Sequence, residues 1–286
     1  MIIWIASYPK SGNTWIRSLL SSYLFSKNGK FSFELLKNIE RFSIKIDKAN
    51  IKVKSNYQTE ISKNWIPSQI KINRDKKIRF FKTHNAMCAI NGNKFTDKQN
   101  TLATIYIIRD PRNLVTSLAH HYQLNINDAF NFLTNKRKII FPINSNYKNK
   151  KELKPEDFNF IGDWSSHYYS WKNANFFPVK IIKYEDLLNN PEESFISILK
   201  FLSNFLQINI DKKKLKTSIN STSFKNLSLL EQKLGFEESP VSSQNQKKIK
   251  FFNLGKKNDW KTLLDKNLTE KIETYYKNEM SELGYL

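Results

Sequence analysis

Apolar and polar positions near the start of the chain follow a pattern that predicts a strand, a turn and a helix. Residues 2–6 are all apolar, and a run of this length is typical of a buried strand. The apolar positions beyond the polar stretch 7–15 have the spacing of one helix face: Ile16, Leu19, Leu20, Tyr23 and Leu24. We therefore expect residues 7–15 to lead from the strand into the helix.

Three later apolar runs predict further strands, at residues 78–82, 103–108 and 179–184. Helical spacing follows the second and third of these runs, and it also covers residues 163–175. Pro111 stands where the first turn of one helix would begin, a position that proline favours. Strands that alternate with helices predict an α/β fold, in which helices flank both faces of a central parallel β-sheet.

The stretches between these elements are the least patterned parts of the chain. We expect a single domain over residues 1–286, with a polar, irregular segment at 31–77 and a second segment at 125–165, both inserted on the substrate side. Aromatic side chains in these segments either line an apolar pocket or fill a core: Phe31, Phe33, Phe130, Phe132, Tyr147 and Trp164.

Polar side chains stand at the carboxyl ends of four predicted strands. They are Lys10, His84, Arg109 and Tyr184. The carboxyl ends of parallel strands meet at one edge of a sheet, and ligands of such folds bind there. The sequence therefore predicts a ligand site at this edge.

The turn at residues 7–15 has the features of a phosphate site. A helix N-terminus presents free backbone N–H groups and the positive end of the helix dipole to an anion. Lys10 adds a mobile charge, and Ser11 and Thr14 add hydroxyl donors. The alternative is a plain strand-to-helix connection capped by Asn13 or Thr14. A Walker loop is disfavoured because the order G-x-x-x-x-G-K-[ST] is absent: here the lysine precedes the glycine.

Composition indicates a globular protein from a reducing compartment. Forty per cent of the residues are hydrophobic, which is too many for a disordered chain. Cys88 is the single cysteine, so an internal disulfide is excluded and a cytoplasmic location is expected. No run reaches the length of a membrane span, and the apolar N-terminus lacks the basic region of a signal peptide.

The net charge of +21 favours an anionic ligand. Only seven of the 47 basic residues are arginine, and the chain is rich in Asn and Ile, a pattern that codon bias in an AT-rich genome would produce. No nucleic-acid-binding motif accompanies the charge. We expect a small anionic ligand and no required nucleic acid. Binding of a polyanion by the lysine-rich surface stays an alternative hypothesis.

Six segments, in order along the chain, resemble the motifs of the sulfotransferases that use 3′-phosphoadenosine 5′-phosphosulfate (PAPS). Residues 8–15 resemble the 5′-phosphosulfate loop of that family, and residues 109–117 resemble its 3′-phosphate segment. The other four are Lys-Thr-His at 82–84, Tyr-Glu-Asp at 184–186, Thr-Ser-Phe-Lys at 222–225 and the closing element at 255–261. The resemblance implies a P-loop-like three-layer fold, PAPS as the sulfuryl donor and no metal ion.

The resemblance also implies a set of donor-binding residues. In chain order they are Lys10, Ser11, Gly12, Asn13, Thr14, Trp15, Arg109, Ser117, Tyr184, Thr222, Phe224 and Gly255. Lys10 and the backbone N–H groups of residues 11–14 would hold the 5′ bridge, and Trp15 and Phe224 would bracket the adenine. Arg109 would grip the 3′-phosphate together with a serine eight residues later, since the guanidinium fork matches phosphate oxygens.

For catalysis the resemblance implies three residues. His84 would be the general base that removes the proton of the acceptor, a task that suits the ordinary histidine pKa near 6.5. Lys82 would neutralise the oxygens of the transferred group, and Lys10 would stabilise the bridging oxygen as it leaves. The three other histidines have no matching motif and are expected to be packing or surface residues: His120, His121 and His167.

The closing element departs from the family pattern. The Arg-Lys pair that normally precedes its first glycine is Asn253-Leu254 here, which removes two charges from the 3′-phosphate pocket. Asn258 stands in place of the second glycine, and we expect it to adopt a positive φ. Three nearby lysines are candidates to replace the lost charges: Lys250, Lys256 and Lys257.

The leading hypothesis is a sulfotransferase that moves a sulfuryl group from PAPS to a hydroxyl or amine of a small molecule or a glycan. One alternative is a nucleotide-binding protein of the same fold without transferase activity. Another is a phosphotransferase that uses ATP and Mg²⁺, which the missing Walker order disfavours. The sequence leaves the acceptor and the oligomeric state open.

Overall fold

A five-stranded parallel sheet forms the centre of the fold. The computed structural model of the protein describes residues 1–44, 57–140, 158–242 and 244–286. Its strands, in chain order, are β1 (Ile2–Ser7), β2 (Ile39–Arg41), β3 (Arg79–Thr83), β4 (Ala89–Ile90), β5 (Asn93–Lys94), β6 (Thr101–Ile108), β7 (Ile139–Ile140), β8 (Asn159–Phe160) and β9 (Val179–Lys183). The central sheet has the order β2-β3-β1-β6-β9, with all four pairings parallel. The prediction of a central parallel sheet is confirmed.

Helices cover both faces of this sheet. In chain order they are α1 (Asn13–Phe25), α2 (Tyr57–Lys63), α3 (Trp65–Asn73), α4 (Pro111–Tyr122), α5 (Ile126–Thr134), α6 (Trp164–Lys172), α7 (Tyr184–Asn189), α8 (Pro191–Leu202), α9 (Lys212–Ser221), α10 (Phe224–Leu234), α11 (Trp260–Leu263), α12 (Lys266–Tyr275) and α13 (Lys277–Glu282). Two short 3-10 helices, Phe33–Asn38 and Gly255–Lys257, lie beside them. Pro111 occupies the first turn of α4, as predicted.

The apolar run of β1 is buried on both faces because its side chains alternate between two cores. Ile2, Trp4 and Ala6 point into one apolar cluster, which includes residues of α4, α5 and α6. Ile3 and Ile5 point into a second cluster, formed with α1 and α8. A strand covered by helices on both faces is continuously apolar, which explains why residues 2–6 lack polar positions.

The segment at residues 31–77 is more regular than its sequence indicates. Ile39–Arg41 form the edge strand β2, and Ile39 pairs with Phe80 of β3. The helices α2 and α3 follow after residues 45–56, which the structure does not describe. The expectation of an irregular segment is therefore wrong for the described part. A strand of three residues is too short to show a period-two pattern.

The aromatic side chains of the two segments have different positions. Phe132 and Trp164 are buried in the core, as one of the two interpretations held. Phe33 packs at the edge of a third cluster that contains Phe31, Leu36, Leu227, Phe236 and Phe252. Tyr147 lies outside the described residues. This third cluster, the aromatic cluster below, lies beside the candidate site.

The register of the sheet brings its carboxyl ends to a common edge. Ala6 pairs with Thr83, Ser7 with Ile107, and Ile108 with Lys183. The residues immediately after these strands consequently meet at this edge. No helix within the described ranges is both long enough and apolar enough to cross a membrane.

Candidate active site

A cavity of about 1140 Å³ lies at the carboxyl edge of the central sheet. Lys10, His84, Arg109 and Tyr184 all line it, so the four strand-end side chains meet as predicted. Further predicted residues line the same cavity: Gly12, Asn13, Thr14, Trp15, Lys82, Ser117, Phe224 and Gly255. Its volume is slightly above the range of about 300–1,000 Å³ that is usual for small-molecule sites in proteins.

Thr222 does not line the cavity, contrary to its implied role. The side chain is fully buried, and its hydroxyl donates to the backbone oxygen of Ser218 at 2.7 Å. Thr222 is the C-cap residue of α9, and Ser223 caps α10 by accepting from the N–H of Asn226. The neighbouring Ser223 lines the cavity instead. The threonine therefore has the helix-end role that short hydroxyl residues commonly have.

Gly12 shapes the turn between β1 and α1. It is the N-cap of α1 with φ 105°, a conformation that residues with a side chain rarely adopt. A Cβ atom at this position would lie 2.6 Å from the ring of Tyr184. The alternative that Asn13 or Thr14 caps the helix is wrong. The Asn13 amide instead donates to the backbone oxygen of Ile5 at 2.9 Å, which fixes the turn to the strand.

The backbone N–H groups of this turn are not equally available. Ser11 donates its N–H to the carbonyl oxygen of Tyr8 at 3.3 Å, so this N–H already has a partner within the turn. The first bonds of α1 run from the N–H groups of Trp15 and Ile16 to Gly12. Residues 13 and 14 precede these bonds, so their N–H groups are free of the helix ladder, and both residues line the cavity. The buried Ser11 hydroxyl has no hydrogen-bond partner among the described residues.

Lys10 lies between His121 and Phe251. Its Nζ atom is 3.4 Å from His121 Nδ1 and 3.8 Å from the centre of the Phe251 ring. Burial, followed by the charges of Lys82 and Arg109, lowers the pKa of Lys10 to about 7. Burial and the Lys10 charge also lower the pKa of His121, so this imidazole is neutral and can accept from the ammonium. The expectation that His121 is a packing or surface residue is wrong, because it lines the cavity beside Lys10.

Arg109 is fixed on an aromatic platform. Its guanidinium lies 4.2 Å from the centre of the Tyr184 ring, and its Nη1 donates to the carbonyl oxygen of Lys10 at 3.2 Å. The Trp15 ring contacts the same tyrosine edge-on at 5.6 Å. No described residue accepts a hydrogen bond from the buried Arg109 Nε or the buried Trp15 Nε1. The Arg109 fork and Ser117 of α4 line one cavity, an arrangement that suits a phosphate group.

The imidazole of His84 is oriented by the end of β1. Its Nδ1 lies 2.8 Å from the carbonyl oxygen of Ser7, which can only accept, so Nδ1 carries the proton and Nε2 is the basic nitrogen. Burial, with the nearby Lys82 charge, lowers the pKa of His84 well below its ordinary value. A neutral imidazole of fixed tautomer is the form that a general base needs.

A second histidine supports the backbone of the first. The His167 Nε2 lies 3.1 Å from the carbonyl oxygen of His84, and its Nδ1 lies 2.8 Å from the hydroxyl of Tyr106. His167 is fully buried, so its expected packing role is confirmed. His120, also expected to pack or lie at the surface, contacts the backbone oxygen of Lys250 at 2.8 Å and borders the cavity.

Lys82 is paired with a carboxylate that the sequence did not indicate. Its Nζ is 2.9 Å from Glu238 Oε2, and the other oxygen of Glu238 is 2.6 Å from Arg17 Nη1. Burial opposes the charge of Glu238, but the two cations outweigh it and hold the pKa of this carboxyl well below its usual value. Glu238 also accepts from the Thr14 hydroxyl at 3.4 Å. The carboxylate thus contacts one residue of the implied donor site, Thr14, and one implied catalytic residue, Lys82.

Phe224 and Gly255 lie against each other at the far side of the cavity. A Cβ atom on Gly255, whose φ is +56°, would lie 2.6 Å from the Phe224 ring. Phe224 also packs against Phe252 of the aromatic cluster. The glycine thus lets the closing element approach an aromatic face that a planar ligand can use.

The closing element is attached to α4 by a residue that departs from the family pattern. Asn258 has φ −78°, so the expectation of a positive φ is wrong. Its Oδ1 accepts from Thr116 Oγ1 at 2.5 Å, and its Nδ2 donates to the carbonyl oxygen of Asn113 at 2.9 Å. Of the three lysines proposed to replace the missing charges, Lys256 lines the cavity, whereas Lys250 and Lys257 do not.

Comparison with known proteins gives one family. A sequence model of the sulfotransferase domain matches residues 2–284. Sulfotransferase 1B1 of Canis lupus familiaris is 24% identical over 281 residues, which are 97% of this chain and 82% of that protein. The amine sulfotransferase of Oryctolagus cuniculus is 19% identical over 290 residues, covering 98% of this chain and 81% of the relative.

Solved structures show the same fold at low sequence identity. A mouse sulfotransferase complexed with PAP superposes with a TM-score of 0.60 and 19% identity, covering 99% of this chain and 85% of that one. Retinol dehydratase in complex with androsterone and the inactive cofactor PAP gives a TM-score of 0.59 and 16% identity, with 98% and 80% covered.

Proposed function

The chain belongs to the sulfotransferase domain family, and from this premise we propose that it transfers a sulfuryl group from PAPS to a hydroxyl or amine acceptor. The observation that carries the proposal is the meeting of Lys10, Lys82, His84 and Arg109 in one cavity at the carboxyl edge of the sheet. PAP occupies solved structures of the same fold, which supports the matching nucleotide donor here.

The residues present fit a donor with two anionic ends and a flat base. The first turn of α1 and Lys10 would take the 5′ end, and Arg109 with Ser117 would take the 3′-phosphate. Trp15 and Phe224 offer aromatic faces for the adenine. Two buried polar atoms of cavity-lining residues, Arg109 Nε and Trp15 Nε1, have no partner among the described residues and support this fit; Ser11, whose hydroxyl also lacks a partner, does not line the cavity.

Bound PAPS supplies an activated sulfuryl group, and the protein supplies a base and positive charge around it. His84 would take the proton of the acceptor at Nε2, because Nδ1 is committed to Ser7. Lys82 and Lys10 would stabilise the negative charge that develops during transfer. Since Lys82 is buried and Lys10 is half-buried, their charges act in a setting of lower dielectric than water and stabilise more than they would at the surface.

We propose that the described parts of the segments at residues 31–77 and 125–165 form the acceptor side. Arg41 from the first segment and Ile140 and Asn159 from the second border the cavity that contains His84. A small molecule suits the cavity volume, and a glycan end that reaches the cavity is the other class to test. Cys88 is a free thiol, which supports a reducing, cytoplasmic location.

Binding of the product nucleotide tests the donor site. Isothermal titration with PAP should show a complex that Lys10→Ala and Arg109→Ala both weaken strongly, while ATP with Mg²⁺ competes poorly. Tight binding of ATP–Mg²⁺ in place of PAP would support the phosphotransferase alternative. PAP binding without turnover on any acceptor, and with His84→Gln neutral in every assay, would support a nucleotide-binding protein without catalysis.

A further inference from the structure

The loop at residues 235–240 places a carboxylate in the candidate active site. Glu238 Oε1 accepts from Arg17 Nη1 at 2.6 Å, and Oε2 accepts from Lys82 Nζ at 2.9 Å. The two cationic side chains are only 4% and 5% exposed, and Glu238 is 25% exposed. At such depth a charge is costly unless it is paired, so this carboxylate matters to both cations.

Glu238 is held from several directions. Arg17 is itself fixed to the edge strand β2, because its Nε donates to the carbonyl oxygen of Ile39 at 3.0 Å. The next residue of the loop, Ser239, donates its hydroxyl to Glu231 at 2.7 Å. Phe236 of the same loop packs into the aromatic cluster. The carboxylate is therefore a fixed partner for Lys82, unlike a surface carboxylate that moves freely.

The charges around Lys82 show why Glu238 matters to the ionisation of this lysine. The groups that interact electrostatically with Lys82 from the neighbouring elements are Glu238, Arg17, Arg41, Lys10, His84 and His121. Only Glu238 in this set is an anion, and burial already lowers the pKa of Lys82 to about 8. Without the carboxylate, every charged group left in this set would be a cation, which favours the neutral amine of Lys82.

We propose that Glu238 is a positioning residue for Lys82: it holds the Lys82 side chain in its ammonium form beside His84, where the transferred group would be. The mechanistic part of this inference rests on the proposed function. The effect of Glu238 on Lys82 does not rest on the proposed function, because it can be tested without any nucleotide. A purely structural ion pair would tie the loop to α1 through Arg17 and leave the ionisation of Lys82 unaffected.

The titration of Lys82 tests the proposal directly. In protein labelled with ¹³C at lysine Cε, the Lys82 signal is the one that Lys82→Arg removes, and its shift is followed with pH. We expect a midpoint near pH 8 in the wild type. In Glu238→Gln the midpoint should fall by about one to two pH units, the equivalent of one lost charge-assisted hydrogen bond. Glu237→Gln, the exposed neighbour, should titrate as the wild type does.

An unchanged Lys82 midpoint in Glu238→Gln would overturn the proposal. If Glu238→Gln does not fold, Glu238→Asp keeps a carboxylate for Arg17 on a shorter side chain. A downward shift of Lys82 in that variant supports the proposal, and no shift overturns it.

A separate titration with PAP tells the two proposals apart. If PAP fails to bind the wild type, the proposed function fails and the Lys82 titration still decides the role of Glu238. If PAP binds and Lys82 does not respond to Glu238→Gln, only the role of Glu238 is lost.

Discussion

The Nδ1 atom of His84 lies 2.8 Å from the carbonyl oxygen of Ser7. This contact fixes the tautomer of the imidazole and directs its basic nitrogen away from β1. His84→Gln keeps a polar side chain of similar reach but cannot take a proton. We expect it to lower the transfer rate by about 10²–10⁴-fold, the usual contribution of a general base, with PAP binding close to that of the wild type.

His120→Gln is the matched control for that experiment, because His120 borders the same cavity but contacts the backbone oxygen of Lys250. It should leave the transfer rate near the wild-type value. Equal loss of activity in the two variants would show that His84 acts through general packing and not as a base.

Donor binding should weaken as the pH rises through neutrality. Burial and neighbouring cations lower the pKa of Lys10 to about 7, so its ammonium is present below this pH and is lost above it. An anionic donor needs the charged form, and the affinity for PAP should fall about tenfold per pH unit above the midpoint for each ammonium that is lost. Calorimetry with PAP between about pH 6 and pH 9 measures this.

His121 should influence the pH at which PAP binding begins to weaken. It is the neutral group 3.4 Å from the Lys10 ammonium, so His121→Leu removes a hydrogen-bond acceptor and should move the alkaline loss of PAP binding to lower pH. His121→Asn, which keeps an acceptor, should move it less. Identical pH profiles for wild type and His121→Leu would contradict the contact.

Lowering the pH to about 6 should leave His84 in its neutral form. Burial and Lys82 lower its pKa well below the ordinary 6.5, so the free base persists as the pH falls through that value. We therefore expect no loss of transfer rate from His84 protonation between about pH 7 and pH 6. A rate that halves near pH 6.5 and follows a single protonation would show that His84 is not held neutral by its surroundings.

Gly12 is expected to be intolerant of substitution. Gly12→Ala combines a positive φ with a Cβ atom 2.6 Å from the Tyr184 ring, whereas Gly92→Ala has a positive φ of 81° and open space. Gly92→Ala should cost only the backbone strain, about 1–2 kcal/mol of unfolding free energy. Gly12→Ala should cost clearly more in denaturant unfolding and should weaken PAP binding. Equal losses in the two variants would mean that the approach to Tyr184 is not required.

Lys256 should supply part of the charge that Asn253-Leu254 do not. It lines the cavity, and its neighbour Lys257 does not. We expect Lys256→Ala to weaken PAP binding by about fivefold at low salt, the equivalent of about 1 kcal/mol for an exposed charge pair. The effect should shrink as salt is added. Lys257→Ala is the control, and an equal effect from it would point to general surface charge.

The sequence predicted those site residues that can be identified from the few residues on either side of them. His84 and Arg109 follow a strand directly and Lys10 stands in the turn just after one, so an apolar run and the polar residues after it were enough to place them at one edge. Trp15 and Gly255 were identified from motifs a few residues long. The strands that alternate with helices were enough to predict a parallel sheet, whereas its strand order and register were not predicted.

The features of the site that the sequence did not predict depend mostly on contacts between residues far apart in the chain. Glu238 and Lys82 are 156 positions apart, and His121 and Lys10 are 111 apart. No spacing rule in one sequence relates such pairs. Asn258 was misjudged for a related reason: its expected role was a backbone conformation, whereas its side chain bonds to α4. The strand β2 was missed because three residues carry too little pattern.

The proposed sulfotransferase activity is tested by transfer of ³⁵S-labelled sulfuryl from PAPS to a panel of phenols, alcohols, amines and glycans by the wild-type protein. We expect a labelled product with at least one acceptor, formed together with PAP, and loss of that product in His84→Gln. Failure of PAP to bind, together with no labelled product across the panel, would contradict it.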